Sequence, residues 1–512
     1  MLFFELFNLM AMSILYTMLL YHSLNIYQQE HYDSIKYLST LPRLYTRHKL
    51  LYIIYLSSLF SLVLSPYHTI ISLILCLIMV IKPPKYVVKL RITKRIIRLT
   101  ITYVILLVLL FFIPIRHYVL FISINLVMPL LLVICNFINL PIERLINHKY
   151  LNQAKEKLMA NRNLIKIAIT GSYGKTSTKN IINHILEESY LTTSTPKSYN
   201  TLLGITRTIN EHIKPNTEIF VCELGTNHIG EIAEMSRFLN PHIACITEVG
   251  AQHLETFKTI DNVLKAKFEI IESMGFNKTL ILNGDNKLIK NTKVITLRDI
   301  YYIGMDDTNN IYAKDINVNK DYLEFTIIDG DETIEIQTKL LGVHNVYNIL
   351  IAYTVIKALR KYNIIIDKAT FIKRIKTLSP ISHRLEYKVI DNFHIYDDSY
   401  NSNQIGFKNA IEVMKLVNTP KVIITPGIVD NGKMGEIINQ DIASKLVGVF
   451  DDIYLVKNKI TRYYENVLNK ANKAYYVFDS FQDAFSFFKS KYKNKEVSLL
   501  IENDLPDNFL ER

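Results

Sequence analysis

Thr170-Gly171-Ser172-Tyr173-Gly174-Lys175-Thr176-Ser177-Thr178 follows a short apolar run, Ile165 to Ile169, and opens a segment to Tyr190 that reads as a helix. Strand, glycine turn, Lys-Thr and helix is the layout of a phosphate-binding loop. Glycines let the backbone curl so that several N–H groups face one anion, and the helix N-terminus adds partial positive charge. Gly171, Ser172, Tyr173, Gly174 and Ser177 would then line a nucleotide's phosphates. Lys175 would reach the outer phosphates, and the Thr176 hydroxyl would hold Mg²⁺. The pattern is shortened, because Ile169 stands where G-x-x-x-x-G-K-[ST] has its first glycine. As a bare pattern it also fits an ordinary glycine-containing turn, so the surrounding chain decides.

Strands and helices alternate beyond this loop. Ile219 to Cys222 is a strand ending at Glu223-Leu224-Gly225, and Ile243 to Thr247 is another, ending in Glu248-Val249-Gly250-Ala251-Gln252-His253. Ligands of α/β sheets collect at the carboxyl ends of strands, so Glu223 and His253 fall beside the expected phosphates. A carboxylate there suits Mg²⁺, a hard cation that takes one or two protein oxygens. From Asp299 to Gln337 apolar and polar residues alternate, which predicts a small β excursion packing on the sheet.

These stretches, with Gly230-Glu231-Ile232, Ala266-Lys267-Phe268-Glu269-Ile270 and Gly342-Val343-His344-Asn345-Val346-Tyr347-Asn348, resemble the Mur ligase family. The likeness is greatest to its branch that adds D-alanyl-D-alanine to UDP-N-acetylmuramoyl-tripeptide. The resemblance implies ATP and Mg²⁺ as cofactors and a carbamylated Lys267 that acts as a carboxylate-like metal ligand beside His253. It also implies that Asn345 and Asn348, three residues apart on one helix face, meet the adenine. Thr195-Pro196-Lys197-Ser198-Tyr199-Asn200-Thr201 is similar to the family's acceptor-side loop.

A second α/β unit begins near Ser379. His383-Arg384-Leu385-Glu386 resembles the family's G-R-x-E element, and Asp397-Asp398-Ser399-Tyr400-Asn401 its D-D-S-Y-N element. By that resemblance Arg384 neutralises phosphate charge from across the cleft, and Asp398 holds the nucleotide. Two departures stand out. Gln404 replaces a proline, and the loop Thr425 to Gly432 lacks the usual Glu-Leu-Gly, which leaves the amino substrate open.

The formal net charge of +12 is confined to the chain before Ile165, where 17 Lys and Arg stand against 5 Asp and Glu; 42 of each sign follow. Basic residues among apolar runs are a membrane pattern, so nucleic acid is not the expected partner. Five apolar stretches, Leu2–Leu20, Leu50–Leu64, Tyr67–Ile81, Ile96–Ile113 and Val119–Leu140, predict about five transmembrane helices; the first and last are long enough to span, and the short middle ones fit either a tight hairpin or a partly re-entrant path. The acid-free loop from Lys82 to Arg98 belongs inside, which puts the remainder of the chain in the cytoplasm. The four cysteines show no paired spacing and read as small buried hydrophobes.

The expected fold is therefore a multi-span α-helical membrane region followed by α/β, with a P-loop central domain and a smaller Rossmann-like C-terminal domain. The expected boundaries are a membrane region over 1–141, a linker helix over 142–164, the ATP-binding domain over 165–378 and the last domain over 379–512. The resemblance implies an ATP-dependent amide ligase of the cell membrane. It joins a muramoyl-peptide or lipid-linked precursor to an amino acid or dipeptide amine. Poly-γ-glutamate synthesis, modification of a lipid-linked muropeptide, a non-catalytic membrane scaffold and a transporter with an ATPase domain are the competing readings.

Overall fold

A computed structural model describes residues 2–47, 89–112, 117–196, 199–252, 254–272, 274–275, 277–294, 299–400, 403–429 and 434–502. It divides into two compact units, Met1–Lys149 and Tyr150–Arg512.

The first unit is helical, with helices Leu2–Gln29, Ser34–Arg47, Lys94–Phe111 and His117–Ala160. Tyr27, Tyr37, Leu99, Tyr103, Met128 and Leu132 form its core. Between the last two helices runs a row of polar contacts. Arg98 pairs with Glu143 at 2.7 Å, Thr102 donates to Asn139 at 2.9 Å and Arg95 donates to Asn136 at 3.3 Å. The fourth helix passes through position 142 unbroken, with Pro129 and Pro141 inside it, so the linker does not begin as a separate helix.

The structure does not support the expected multi-span region. Among the described residues one helix, Met128–Ala160, is long and apolar enough to cross a membrane. Lys94–Phe111 is too short for its charge: Lys94, Arg95 and Arg98 occupy its first turns, leaving a brief apolar run. The stretches Leu50–Leu64 and Tyr67–Ile81 lie outside the described residues.

In the second unit a nine-stranded sheet has the order β2-β3-β1-β4-β5-β6-β7-β8-β9. Its strands are β1 Ile165–Thr170, β2 Thr192–Ser194, β3 Ile219–Glu223, β4 Ile243–Ile246, β5 Thr279–Asn283, β6 Asp299–Gly304, β7 Ile311–Val318, β8 Leu323–Asp329 and β9 Glu332–Thr338. Pairing is parallel from β2 to β7 and antiparallel across β7–β8–β9. Asp299 to Gln337 thus extends the sheet instead of packing on it. Strand alternation is visible in a sequence, but the edge that accepts the strand is not.

The parallel strands are apolar on both faces because helices cover both. Ile167 and Ile169 meet Ile181, Ile185 and Ile349 on one side. Ala168, Phe220 and Cys222 meet Ile205, Ile209 and Ile232 on the other. β1 lies between β3 and β4, with Ile169 opposite Glu223 and Thr170 opposite Ile246. The chain crosses from this strand to either side, which opens a crevice at its carboxyl end.

A six-stranded sheet follows, ordered β10-β11-β15-β12-β13-β14. These strands are β10 Glu386–Ile390, β11 Phe393–Asp398, β12 Lys421–Thr425, β13 Asp452–Val456, β14 Tyr476–Phe478 and β15 Val497–Glu502. Only the β10–β11 pair is antiparallel. That hairpin carries Arg384 on its approach and Asp398 at its end.

Candidate active site

The turn after β1 is shaped by two glycines. Gly171 has φ +150°, and a Cβ there would fall 2.0 Å from the Thr247 hydroxyl. Gly174 has φ +79°, and a Cβ there would fall 2.7 Å from Asn348 Oδ1. The helix Lys175–Leu186 starts directly after it. Ser172 and Tyr173 anchor the turn to the neighbouring loop: the Ser172 hydroxyl donates to the Gly250 carbonyl at 3.2 Å, and the Tyr173 hydroxyl donates to the Ala251 carbonyl at 2.9 Å. Ser177 is buried in the first helical turn. Gly174→Ala combines a side chain in left-handed backbone, costing about 1–2 kcal/mol, with the clash at Asn348. The expected result is at least about tenfold weaker ATP binding, read by titration calorimetry.

Cations converge on one carboxylate. Glu223 is 2% exposed. It accepts from the Thr176 hydroxyl at 2.9 Å and from Asn200 Nδ2 at 3.4 Å, and it lies 3.6 Å from Lys179 Nζ. Arg384 Nη2 reaches the Thr176 hydroxyl at 3.4 Å, from the element that leads into the second sheet. Lys175 Nζ donates to the carbonyls of Gly171 at 2.6 Å and Ser172 at 3.1 Å. Burial lowers its pKa to about 8, against the pull of Glu223 and with the push of Arg384. Lys267, in the helix Ile260–Phe268, is 2% exposed. Burial, then Lys175, hold its pKa well below the ordinary lysine value, with Glu223, Glu231 and Glu269 opposing.

Asp398 accepts from the Leu385 N–H at 3.0 Å. Burial pushes its pKa up to about 6, although Arg384 pulls the other way. Asn345 and Asn348 are bonded internally. Asn348 Nδ2 donates to Asn345 Oδ1 at 2.9 Å, Asn345 Nδ2 donates to the Leu341 carbonyl at 2.7 Å, and the Thr178 hydroxyl donates to Asn348 Oδ1 at 3.1 Å. The two amides therefore latch the helix His344–Leu359 to the phosphate-loop helix. His253 lies outside the described residues.

The structure thus brings Lys175, Thr176, Glu223, Lys267 and Arg384 together, with Asp398 beside Arg384 and Asn345 and Asn348 behind the loop. Reasoning from sequence missed Lys179, which is 1% exposed and donates to the Thr195 carbonyl at 2.7 Å. A signal for it existed. It shares a helical stripe with Ile182 and Leu186, so its side chain had to point inward. Reasoning from sequence also missed the carboxylate of Glu248, which burial pushes up to about 6 and which Asn283 and Asn286 hold.

The Thr176 hydroxyl and the Glu223 carboxylate are oxygen donors within 2.9 Å of each other, the donor type that a hard cation selects. Among the described residues, no group of three or more His, Cys, Asp or Glu is placed to hold a metal. A cation sharing its shell with phosphate oxygens fits this site better than an all-protein cage.

Residues 169–356 match the Mur ligase middle domain, and members of that family are ATP-dependent amide ligases. The chain is 29% identical over 339 residues to the UDP-N-acetylmuramoyl-tripeptide–D-alanyl-D-alanine ligase of Buchnera aphidicola, covering 60% of this chain and 71% of that one. It is 29% identical over 278 residues to the ligase of the same name from Bacillus subtilis, covering 54% of this chain but only 58% of that one. In fold it is similar to MurF from Thermotoga maritima, solved in complex with ADP. The TM-score is 0.62 at 21% identity, over 70% of this chain and 80% of that one. The structural match shows the fold alone.

Proposed function

We propose that the chain joins a carboxylate to an amine at the expense of ATP, adding D-alanyl-D-alanine or a related amine to a muramoyl-tripeptide precursor. The observation that carries the reading is the surplus of cations at the crevice. Lys175, Lys179 and Arg384 all act electrostatically on or beside the Glu223 carboxylate. Buried like charges repel, and a polyphosphate is the ligand that balances them.

In the proposed reaction a carboxylate oxygen of the acceptor attacks the γ-phosphorus. The bond to the β-phosphate oxygen breaks and ADP leaves. The amine nitrogen then attacks the acyl carbon, the carbon–oxygen bond to phosphate breaks, and inorganic phosphate departs with the proton that the nitrogen gives up. Lys175 and Arg384 offset charge on the transferring phosphoryl group, from the loop and from the opposite lobe. The loop N–H groups and the helix N-terminus orient the phosphates. Thr176 and Glu223 would hold Mg²⁺, which supplies further charge neutralisation when bound. Lys267 suits addition of CO₂, because burial favours its neutral amine, the form that reacts.

For the first unit we retain a membrane location as part of this proposal. Ile97, Ile101, Ile105, Val108 and Leu109 are exposed on the helix Lys94–Phe111, as are Leu130, Ile134 and Phe137 on the next helix. Apolar faces of that extent call for lipid or a partner.

The test is full-length protein in membranes with ATP, Mg²⁺, UDP-linked or lipid-linked muropeptide and a panel of amines, with products weighed by mass spectrometry. The expected result is an acceptor heavier by D-alanyl-D-alanine, with ADP released only when acceptor and amine are both present. A product formed only with glutamate would move the protein to poly-γ-glutamate chemistry. ADP release indifferent to acceptor and amine would sink the ligase reading.

A further inference from the structure

Arg384 sits between two residues in left-handed backbone, His383 at φ +61° and Leu385 at φ +49°. Neither is glycine, and backbone of this kind persists only where the surroundings over-determine it. Here they do. The Leu385 side chain is buried in the core of the six-stranded sheet, and its N–H donates to Asp398 at 3.0 Å. The Arg384 N–H donates to the Ile381 carbonyl at 3.0 Å, and the Tyr400 N–H donates to the His383 carbonyl at 3.2 Å. His383 adds a side-chain hold: its Nδ1 lies 2.8 Å from Asp397 Oδ2, and its backbone N–H donates to Glu386 at 3.2 Å. The Ser399 hydroxyl, 3.2 Å from the same ring nitrogen, donates to Asp397 Oδ1 at 2.6 Å and fixes the carboxylate in turn.

The turn delivers Arg384 to the phosphate loop. Its guanidinium lies 4.5 Å from the centre of the Tyr400 ring and touches the Thr176 hydroxyl. A long side chain contributes to transition-state charge only if its position is set in advance. A glycine at 383, as in the G-R-x-E pattern that this element resembles, would take φ +61° without strain but would give the turn no side-chain anchor. This chain carries a histidine and a carboxylate to hold it instead.

We propose that His383 is a positioning residue: held by Asp397, it pins the strained turn that presents Arg384 to the phosphate site. The part played by Arg384 itself rests on the function proposed above.

The test compares wild type with His383→Gly, His383→Asn, Arg384→Lys and the double variant H383G/R384K. Glycine removes pin and strain together, so the melting temperature should not fall. The expected result for His383→Gly is a kcat lower by about ten- to a hundredfold, with ADP affinity unchanged. Asparagine tolerates this backbone and can still reach a carboxylate, and should restore about half of the rate. If His383 acts through Arg384, His383→Gly should cost little more in the Arg384→Lys background. A wild-type kcat in His383→Gly, or a full further loss in the double variant, would overturn the proposal. Arg384→Lys at wild-type rate would instead overturn the role given to Arg384. A crystal structure of His383→Gly gives a readout independent of turnover: the Arg384–Thr176 contact should be lost, and its survival would refute the pin.

Discussion

Replacing Lys175 with methionine is expected to lower ATP-dependent turnover by about 10²–10³-fold, the cost of removing one preorganised charge partner from a transition state. The fold should survive, because methionine follows the path of the lysine stem and the ammonium contacts only loop carbonyls of Gly171 and Ser172. The variant carries a second signature. Burial holds the Lys175 pKa at about 8. Phosphates arriving beside it favour the ammonium and raise that pKa. Nucleotide binding near pH 8 should therefore take up protons, seen as a dependence of the calorimetric heat on the ionisation enthalpy of the buffer. Lys175→Met should reduce that uptake. A variant with full turnover and unchanged proton uptake would remove Lys175 from the site.

The same group fixes a stability trend without ligand. Its folded pKa lies below the unfolded value, so the unfolded chain binds more protons between about pH 8 and pH 10.5. Over that window the contribution of Lys175 to stability rises with pH, and it is least below pH 8.

What the sequence disclosed was what is local. The phosphate loop is legible because its chemistry needs glycines, Lys175 and Thr176 within six positions, and Glu223 because it ends an apolar strand. The latch made by Asn345 and Asn348 was legible only as a pair on one helix face. That they bond to each other and to Thr178 depends on how two helices pack, which no spacing encodes. The left-handed backbone at His383 and Leu385 could not be read, because neither residue is a turn former. In the first third, composition pointed to a membrane, but span count depends on where charges fall within each helix. Arg98 shortens the expected span Ile96–Ile113 from inside.

Lys179 is where burial and chemistry meet, and its replacement should have the largest effect on stability. A lysine and a glutamate, 1% and 2% exposed, face each other at 3.6 Å. Burial lowers the lysine pKa while Glu223 raises it, and burial is the larger influence. Lys179→Met keeps the volume but removes the cation 3.6 Å from Glu223 and leaves the Thr195 carbonyl without its 2.7 Å partner. Breaking one side of a buried pair costs about 3–5 kcal/mol, measurable as a fall in the denaturant midpoint. Glu223→Gln in the same background removes the stranded charge, so K179M/E223Q should recover part of the loss. That non-additivity separates an ion pair from simple packing. Equal midpoints for wild type and Lys179→Met, or losses that merely add, would show that the pair does not hold the crevice together. The coupling also reaches Thr195 and Asn200. Thr195 Oγ1 accepts from the Glu223 N–H at 3.2 Å, and Asn200 of the same loop touches the Glu223 carboxylate. Removing the lysine amine therefore loosens the Glu223 carboxylate together with its contacts at Thr195 and Asn200.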